Sequence, residues 1–245
     1  WIAERGESFV SDTQGRDHVS HARLAMDEDG RFLALSVDTK ADLGAYLSLF
    51  GPAIPTVAGS GMLAGLYTTP AIHVRVRCYF TNTLPVDAYR GAGRPEAAYL
   101  VERLVDVAAK VAGLPRDEIR RRNFIPASAM PFTTSLGETY DSGDFTAHLD
   151  KALAEADWAG IEARRAESAK AGKLRGIGIS TYVEACGGGG PEWSDIRIEP
   201  DGSIVVPIGT RSTGQGHETA YAQLVSEAFG VDMSCVSVDA ATDGR

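Results

Sequence analysis

The residues best arranged for chemistry lie in GTRSTGQGHETAYAQLVSEAFG, residues 209–230. Tyr221, Leu224, Val225, Ala228 and Phe229 recur at helical spacing, and Gly230 ends the pattern. Thr213-Gly214-Gln215-Gly216-His217 therefore stands between a strand and a helix N-terminus. The first N–H groups of a helix lack partners, its dipole favours negative charge there, and glycines let a phosphate approach the backbone closely. A second stretch, VDAYRGAGRPEAAYLVERLVDVAA at residues 86–109, sets Tyr89-Arg90-Gly91-Ala92-Gly93-Arg94 at the mouth of another helix. A tight turn before an ordinary helix explains the second stretch equally well, and plain packing could explain the first.

Familiar phosphate and catalytic motifs are absent from the sequence. There is no GxxxxGK[ST] loop, no GxGxxG opening a βαβ unit and no GxSxG elbow. His217-Glu218 lacks the second histidine of a zinc helix, and His18, His21, His73 and His148 have no ligand spacing; surface or capped positions account for them.

The elements that must position these turns follow from periodicity. Residues 21–37 alternate apolar and polar side chains around Asp27-Glu28-Asp29-Gly30, which predicts a hairpin, and residues 195–208 repeat the pattern around Pro200-Asp201-Gly202-Ser203 with Ile196, Ile198, Ile204, Val206 and Ile208 on one face. Residues 41–70 read as irregular or partly helical, 72–79 as a strand, and 177–183 as a buried strand. A helix from Pro95 carries Ala97, Val101, Leu104, Ala108 and Val111 inward and ends at Gly113. Pro115 opens a short helix whose Arg120-Arg121-Arg122 run reads as a solvated end complementing the dipole. A long helix over 145–170, capped by Asp144, carries Leu149, Ala152, Leu153 and Ala156 inward. The fold class is α+β, with antiparallel hairpins and mixed sheets packed with helices, divided into residues 1–145 and 146–245.

The chain has 245 residues and a net charge of −9, which argues against nucleic-acid binding. No run is long enough to span a membrane. Cys78, Cys186 and Cys235 encode no disulfide framework or metal motif, read as small buried hydrophobes, and fit a reducing, cytoplasmic setting. A start without Met and an end at DAATDGR, directly after a strand-like segment, predict an internal fragment.

Taken together and in this order, ERGESFVSDTQGRDHVSHARLAMDEDG, TNTLPVDAYRGAGRPEAAYLVERLVD, RRRNFIP and STGQGHETAYAQLVSEAFG resemble the molybdenum-binding large subunit of the xanthine dehydrogenase, aldehyde oxidase and carbon monoxide dehydrogenase family. The resemblance implies a molybdenum-cofactor-binding domain type of fold. It also implies that Arg90 and Gly91, with Gly214, Gln215, Gly216 and His217, hold molybdopterin as its cytosine dinucleotide, and that Ala92 and Tyr182 border the substrate. Copper-containing members carry cysteine where Gly91 stands, and xanthine-type members phenylalanine where Ala92 stands. The loop matches the variant called form II, so the implied reaction is hydroxylation of an aldehyde or N-heterocycle with water as oxygen source. The family's glutamate base belongs to a motif outside this chain; Glu184 and Glu218 do not occupy it, and no catalytic residue is assigned. Implied partners are an iron–sulfur small subunit and an FAD-binding medium subunit in a dimer of heterotrimers, since no cysteine pattern here could hold a cluster. A carbon monoxide dehydrogenase large subunit, a non-catalytic paralogue and a nucleotide-binding module remain as alternatives.

Overall fold

A computed structural model describes residues 1–185, 192–210, 212 and 214–239. Cys186, Thr213 and the DAATDGR end, all considered above, lie outside the described residues or reach beyond them. Two compact units divide the chain, Trp1–Glu184 and Ala185–Arg245.

In the first unit, a short helix α1 (Arg5–Ser11) precedes strands β1 (His18–Met26) and β2 (Phe32–Asp42). These pair antiparallel around the expected turn, where the Asp27 carboxylate accepts the N–H groups of Asp29 and Arg31 at 3.0 and 2.8 Å. β3 (Ala71–Tyr79) pairs parallel to β2, which makes the sheet mixed. The excursion between them contains only a turn of π-helix (Ile54–Ala58) and one of 3-10 helix (Ser60–Ala64).

Helix α2 (Arg94–Ala112) packs across the sheet and ends at left-handed Gly113, and α3 (Arg116–Asn123) follows from Pro115. The inward face of α2 is turned slightly from the expected stripe: Val105 and Ala109 are buried, Leu104 is half buried and Val111 is exposed. Phe32, Tyr67, Phe124 and Phe145 form a chain of ring contacts at 5.4, 5.9 and 6.2 Å through this core.

The arginine run is not a solvated end. Arg120 is 0% exposed. Its Nε donates to Glu102 Oε2 at 3.0 Å, Nη1 to the Arg116 carbonyl at 2.9 Å, and Nη2 to Asp106 Oδ1 at 3.0 Å and to the carbonyls of Glu102 and Ile179 at 3.3 Å. Buried Asn123 is satisfied as fully: it donates to the carbonyls of Gly30 and Ile119 at 2.9 and 2.8 Å and accepts the Phe32 N–H at 2.7 Å. Only Arg121 and Arg122 remain near the surface, paired with Asp117 and Asp150, and with Glu118.

After a two-stranded ladder of β4 (Phe132–Thr133) and β5 (Thr139–Tyr140), the expected long helix divides into α4 (Phe145–Glu155) and α5 (Ile161–Lys170). Asp157 breaks it by adopting φ 45° and accepting the Gly160 N–H, which starts a 3-10 turn. Asp144 caps α4 as expected, accepting from Ala147 N at 2.9 Å, but of the predicted inward residues only Leu149 is buried and Leu153 half buried; Ala152 and Ala156 are exposed. Residues 177–183 form no strand. Their polar backbone atoms are taken by side chains instead: Thr181 N donates to Glu102 Oε2 at 2.7 Å, and the Ile179 carbonyl accepts from Arg120.

The second unit pairs β6 (Arg197–Ile198) antiparallel with β7 (Ile204–Pro207), and β7 parallel with β8 (Val236–Asp239); helix α6 (His217–Phe229) packs on this sheet. Ile204, Val206 and Ile208 are buried, whereas Ile196 and Ile198 face outward. Cys78 and Cys235 are exposed free thiols rather than core residues.

Two stability predictions follow from this packing. Arg120→Met leaves two carboxylates without their buried counter-charge and should destabilise the protein by about 3–5 kcal/mol in urea unfolding. Burial, helped by Glu138, pushes the Tyr140 hydroxyl up from 10.0 to about 12. Stability linked to this proton is therefore fully present below pH 10.0 and lost as pH rises toward about 12. Tyr140→Phe should flatten the alkaline fall in unfolding free energy across that window.

Candidate functional site

Three consecutive residues of the first turn, Gly91, Ala92 and Gly93, have φ of 94°, 49° and 89°. The turn closes with Ala92 N donating to the Tyr89 carbonyl at 2.6 Å and Arg94 N to the Gly91 carbonyl at 3.2 Å. Glycine is required here by space as well as by backbone conformation. A Cβ on Gly91 would lie 2.4 Å from Pro95 Cγ, and one on Gly93 would lie 2.5 Å from the Ile54 carbonyl oxygen. The same geometry opposes a cysteine at 91.

The approach to the turn is fixed from both sides. Gln14 N donates to the Pro85 carbonyl at 2.9 Å, and Asp87 N to the Gln14 carbonyl at 2.8 Å. The Asp87 carboxylate accepts Ser48 Oγ at 2.5 Å, Ala88 N at 2.7 Å and Phe50 N at 3.0 Å. Burial works against this carboxylate's charge, but the Ser48 hydroxyl and these N–H groups outweigh it and hold the group below the usual carboxylate range. Only the position of Asp87 just ahead of the turn hinted at this role.

Of the arginines in the turn, Arg94 is engaged: its Nε lies 3.3 Å from Glu184 Oε1 in an ion pair without hydrogen-bond alignment. Arg90 is exposed, and its guanidinium has no hydrogen bond or ion pair among the described residues. Tyr182 lies on a shallow groove along α2 shared with Met62, Gly65, Arg94 and Val101, so the sequence residues Ala92 and Tyr182 are carried by the same unit as Arg90. Glu184, passed over as a base, serves here as the partner of Arg94.

The other motif belongs to the second unit. Gly214 and Gly216 have φ of 102° and 76°, with no atom of the described residues within 4 Å of where a Cβ would stand. Gly216 caps α6 without a side chain of its own to bond the first N–H groups, and the Gly216 carbonyl accepts Ala220 N at 3.0 Å. The His217 ring stands 5.0 Å from that of Tyr221, and its Nδ1 is buried without a hydrogen-bond partner among the described residues. Ser212 Oγ donates to Glu218 Oε2 at 3.3 Å, so Glu218 is occupied within the turn. No group of three metal-ligating side chains occurs among the described residues.

Both turns thus carry groups that suit an anionic, hydrogen-bonding ligand: an exposed arginine on one, and on the other a glycine backbone at a helix start with a buried imidazole nitrogen that has no partner among the described residues. Residues 1–124 match the family model described as molybdopterin cofactor-binding domain, and residues 151–244 match a second model of the same description. The chain belongs to this molybdopterin cofactor-binding family. Among curated relatives, the carbon monoxide dehydrogenase large chain of Hydrogenophaga pseudoflava is 35% identical over 98% of this chain and 32% of its own length. The 6-hydroxypseudooxynicotine dehydrogenase complex subunit gamma of Paenarthrobacter nicotinovorans is 33% identical over 93% of this chain and 29% of its own. The crystal structure of quinoline 2-oxidoreductase from Pseudomonas putida 86 superposes with a TM-score of 0.90 at 33% identity, covering 100% of this chain and 33% of that one. The chain spans about a third of the length of the relatives it matches.

The two turns should respond differently to a methyl group. Gly93→Ala meets backbone and should cost about 2 kcal/mol or more, whereas Gly216→Ala meets no described atom and should cost only the left-handed backbone penalty of about 1 kcal/mol. Paired urea titrations read the difference directly.

Proposed function

We propose that this chain forms part of the large subunit of a molybdenum hydroxylase that oxidises an aldehyde or N-heterocycle with water as oxygen source. The observation that carries the reading is the Arg90 turn, which presents an uncommitted guanidinium at a rigid helix mouth in a chain whose two halves both match molybdopterin-binding models. Arg90 and the Gly91 backbone hold the pterin, and Gly214, Gln215, Gly216 and His217 hold a phosphate-bearing part of the cofactor, in its cytosine dinucleotide form, through backbone N–H groups at a helix start and the buried imidazole nitrogen. When bound, the cofactor supplies two-electron oxidation of carbon. The protein's own share is orientation: Arg90 fixes a negative group by its planar fork of donors, and Ala92 with Tyr182 leaves room for a substrate broader than a diatomic gas.

Quinoline is an N-heterocycle, and its oxidoreductase shares this chain's fold at a TM-score of 0.90, which supports that substrate class. Oxidation of carbon monoxide at a molybdenum–copper pair is the second reading, favoured by the 35% identity to a carbon monoxide dehydrogenase large chain. Gly91 stands against it, because Pro95 occupies the space that a cysteine Cβ needs. In domain terms the boundary falls at 145/146, between the two family matches, with α4 and α5 beginning the second domain in sequence while packing in the first compact unit. Electrons leave through an iron–sulfur small subunit and an FAD-binding medium subunit, in a dimer of heterotrimers. The free thiols of Cys78 and Cys235 accord with a cytoplasmic setting, and no helix among the described residues is long and apolar enough to cross a membrane.

Metal and nucleotide analysis of the complete protein tests this. Molybdenum with cytidine nucleotide and no stoichiometric copper is the expected result; nucleotide without molybdenum would make the chain a nucleotide-binding module, and neither would make it a non-catalytic paralogue. Arg90→Ala and Gln215→Ala should each lower molybdenum content by about one to two decades, the worth of one charge-assisted hydrogen bond.

A further inference from the structure

We propose that Arg16 is the positioning residue of the Arg90 turn. The inference rests on the cofactor reading above and adds to it a residue from a separate segment. Arg16 Nη2 donates to the Arg90 carbonyl at 2.5 Å, across 74 positions of sequence. Its guanidinium carbon lies 4.6 Å from the centre of the Tyr89 ring, and its Nε lies 3.6 Å from Glu96 Oε1. One planar group therefore engages the residue before Arg90, the peptide after it and the first turn of α2.

Backbone details show that this placement is enforced. Arg16 itself adopts φ 65°, a left-handed conformation that a non-glycine residue keeps only where its surroundings over-determine it. The preceding Gly15 lets Tyr89 close in, since a Cβ there would lie 2.7 Å from Tyr89 Cβ. The Gln14 hydrogen bonds to Pro85 and Asp87 register this segment against the chain leading into the turn.

The chemistry of the contacts calls for arginine. A lysine ammonium could reach the Arg90 carbonyl or Glu96, but it lacks the flat face that covers Tyr89 and the fork that serves two acceptors at once. Capture of the Arg90 carbonyl fixes the Arg90–Gly91 peptide, so the exposed Arg90 guanidinium departs from a set backbone. The three arginines around the turn divide their work: Arg16 holds, Arg94 is tied to Glu184, and Arg90 is left for a ligand.

The test compares Arg16→Ala, Arg16→Lys and Arg90→Ala in the complete protein. Molybdenum and nucleotide per folded molecule, amide exchange across residues 89–94 and thermal midpoint are the readouts. Arg16→Ala should hold about tenfold less cofactor, the loss of one charge-assisted hydrogen bond, and exchange faster at 89–94 with β1–β3 unchanged; Arg16→Lys should fall between it and the parent. A residue that only stabilised the fold would shift the thermal midpoint and leave occupancy of the folded fraction intact. Full occupancy in Arg16→Ala alongside depletion in Arg90→Ala overturns the positioning role and spares the cofactor reading. Full occupancy in Arg90→Ala as well overturns both. If Arg16→Ala does not fold, Arg16→Lys decides: parental occupancy and exchange reject the proposal, and reduced occupancy with faster exchange at 89–94 upholds it.

Discussion

The first unit is organised around one buried cation. All three guanidinium nitrogens of Arg120 are engaged, by two carboxylates and three carbonyl groups. Glu102, its main counter-charge, also accepts the Tyr67 hydroxyl at 2.5 Å and the Thr181 N–H at 2.7 Å. Four parts of the chain are thereby joined: α2, α3, the turn before β3 and the segment leading to Tyr182 and Glu184. A buried ion pair of this kind contributes little net stability compared with an apolar replacement, but the geometry it demands is narrow, so it selects one arrangement of these parts. The burial and the nearby Glu102 charge also raise the Tyr67 hydroxyl well above its ordinary range, keeping it a neutral donor to that carboxylate.

From this anchor the route to the Arg90 turn is short. Glu102 and Arg94 stand on one helix, and the segment that Glu102 holds at Thr181 reaches Arg94 three residues later through Glu184. The opposite side of the turn is governed by Asp87 and the Gln14 segment. The turn is thus supported from the core through α2 and from the surface through two loops, a division suited to a site on a rigid helix mouth rather than on a long loop.

Much of this could be read from the sequence where periodicity was strong. The 21–37 hairpin and the helices α2 and α6 were legible because a two-residue or 3.6-residue repeat persisted long enough to be distinctive, and Gly113 and Gly230 marked where two of them end. The glycine turns were legible as turns. What failed did so for local reasons. Arg120 looked solvated because a charge run gives no clue to which residue of a short helix faces inward; the missed signal was Glu102 and Asp106, two acids beside the apolar stripe of α2. The division of 145–170 turned on a single aspartate, Asp157, whose side chain competes with the helix for a backbone N–H. Residues 177–183 had the composition of a strand, but side chains of α2 and α3 satisfied their backbone where a neighbouring strand was expected. The roles of Arg16 and Asp87 depend on contacts from distant segments, which composition does not reveal.

The two glycine turns differ in what fills the space beside them. Around Gly91 and Gly93 that space belongs to Pro95 and to the backbone at Ile54 and Gly59; around Gly214 and Gly216 no described atom enters it. The ordering entropy of the first turn is therefore spent when the protein folds, and a ligand meets a surface already set. At the second turn no described residue supplies such walls, so its glycines answer to backbone conformation alone.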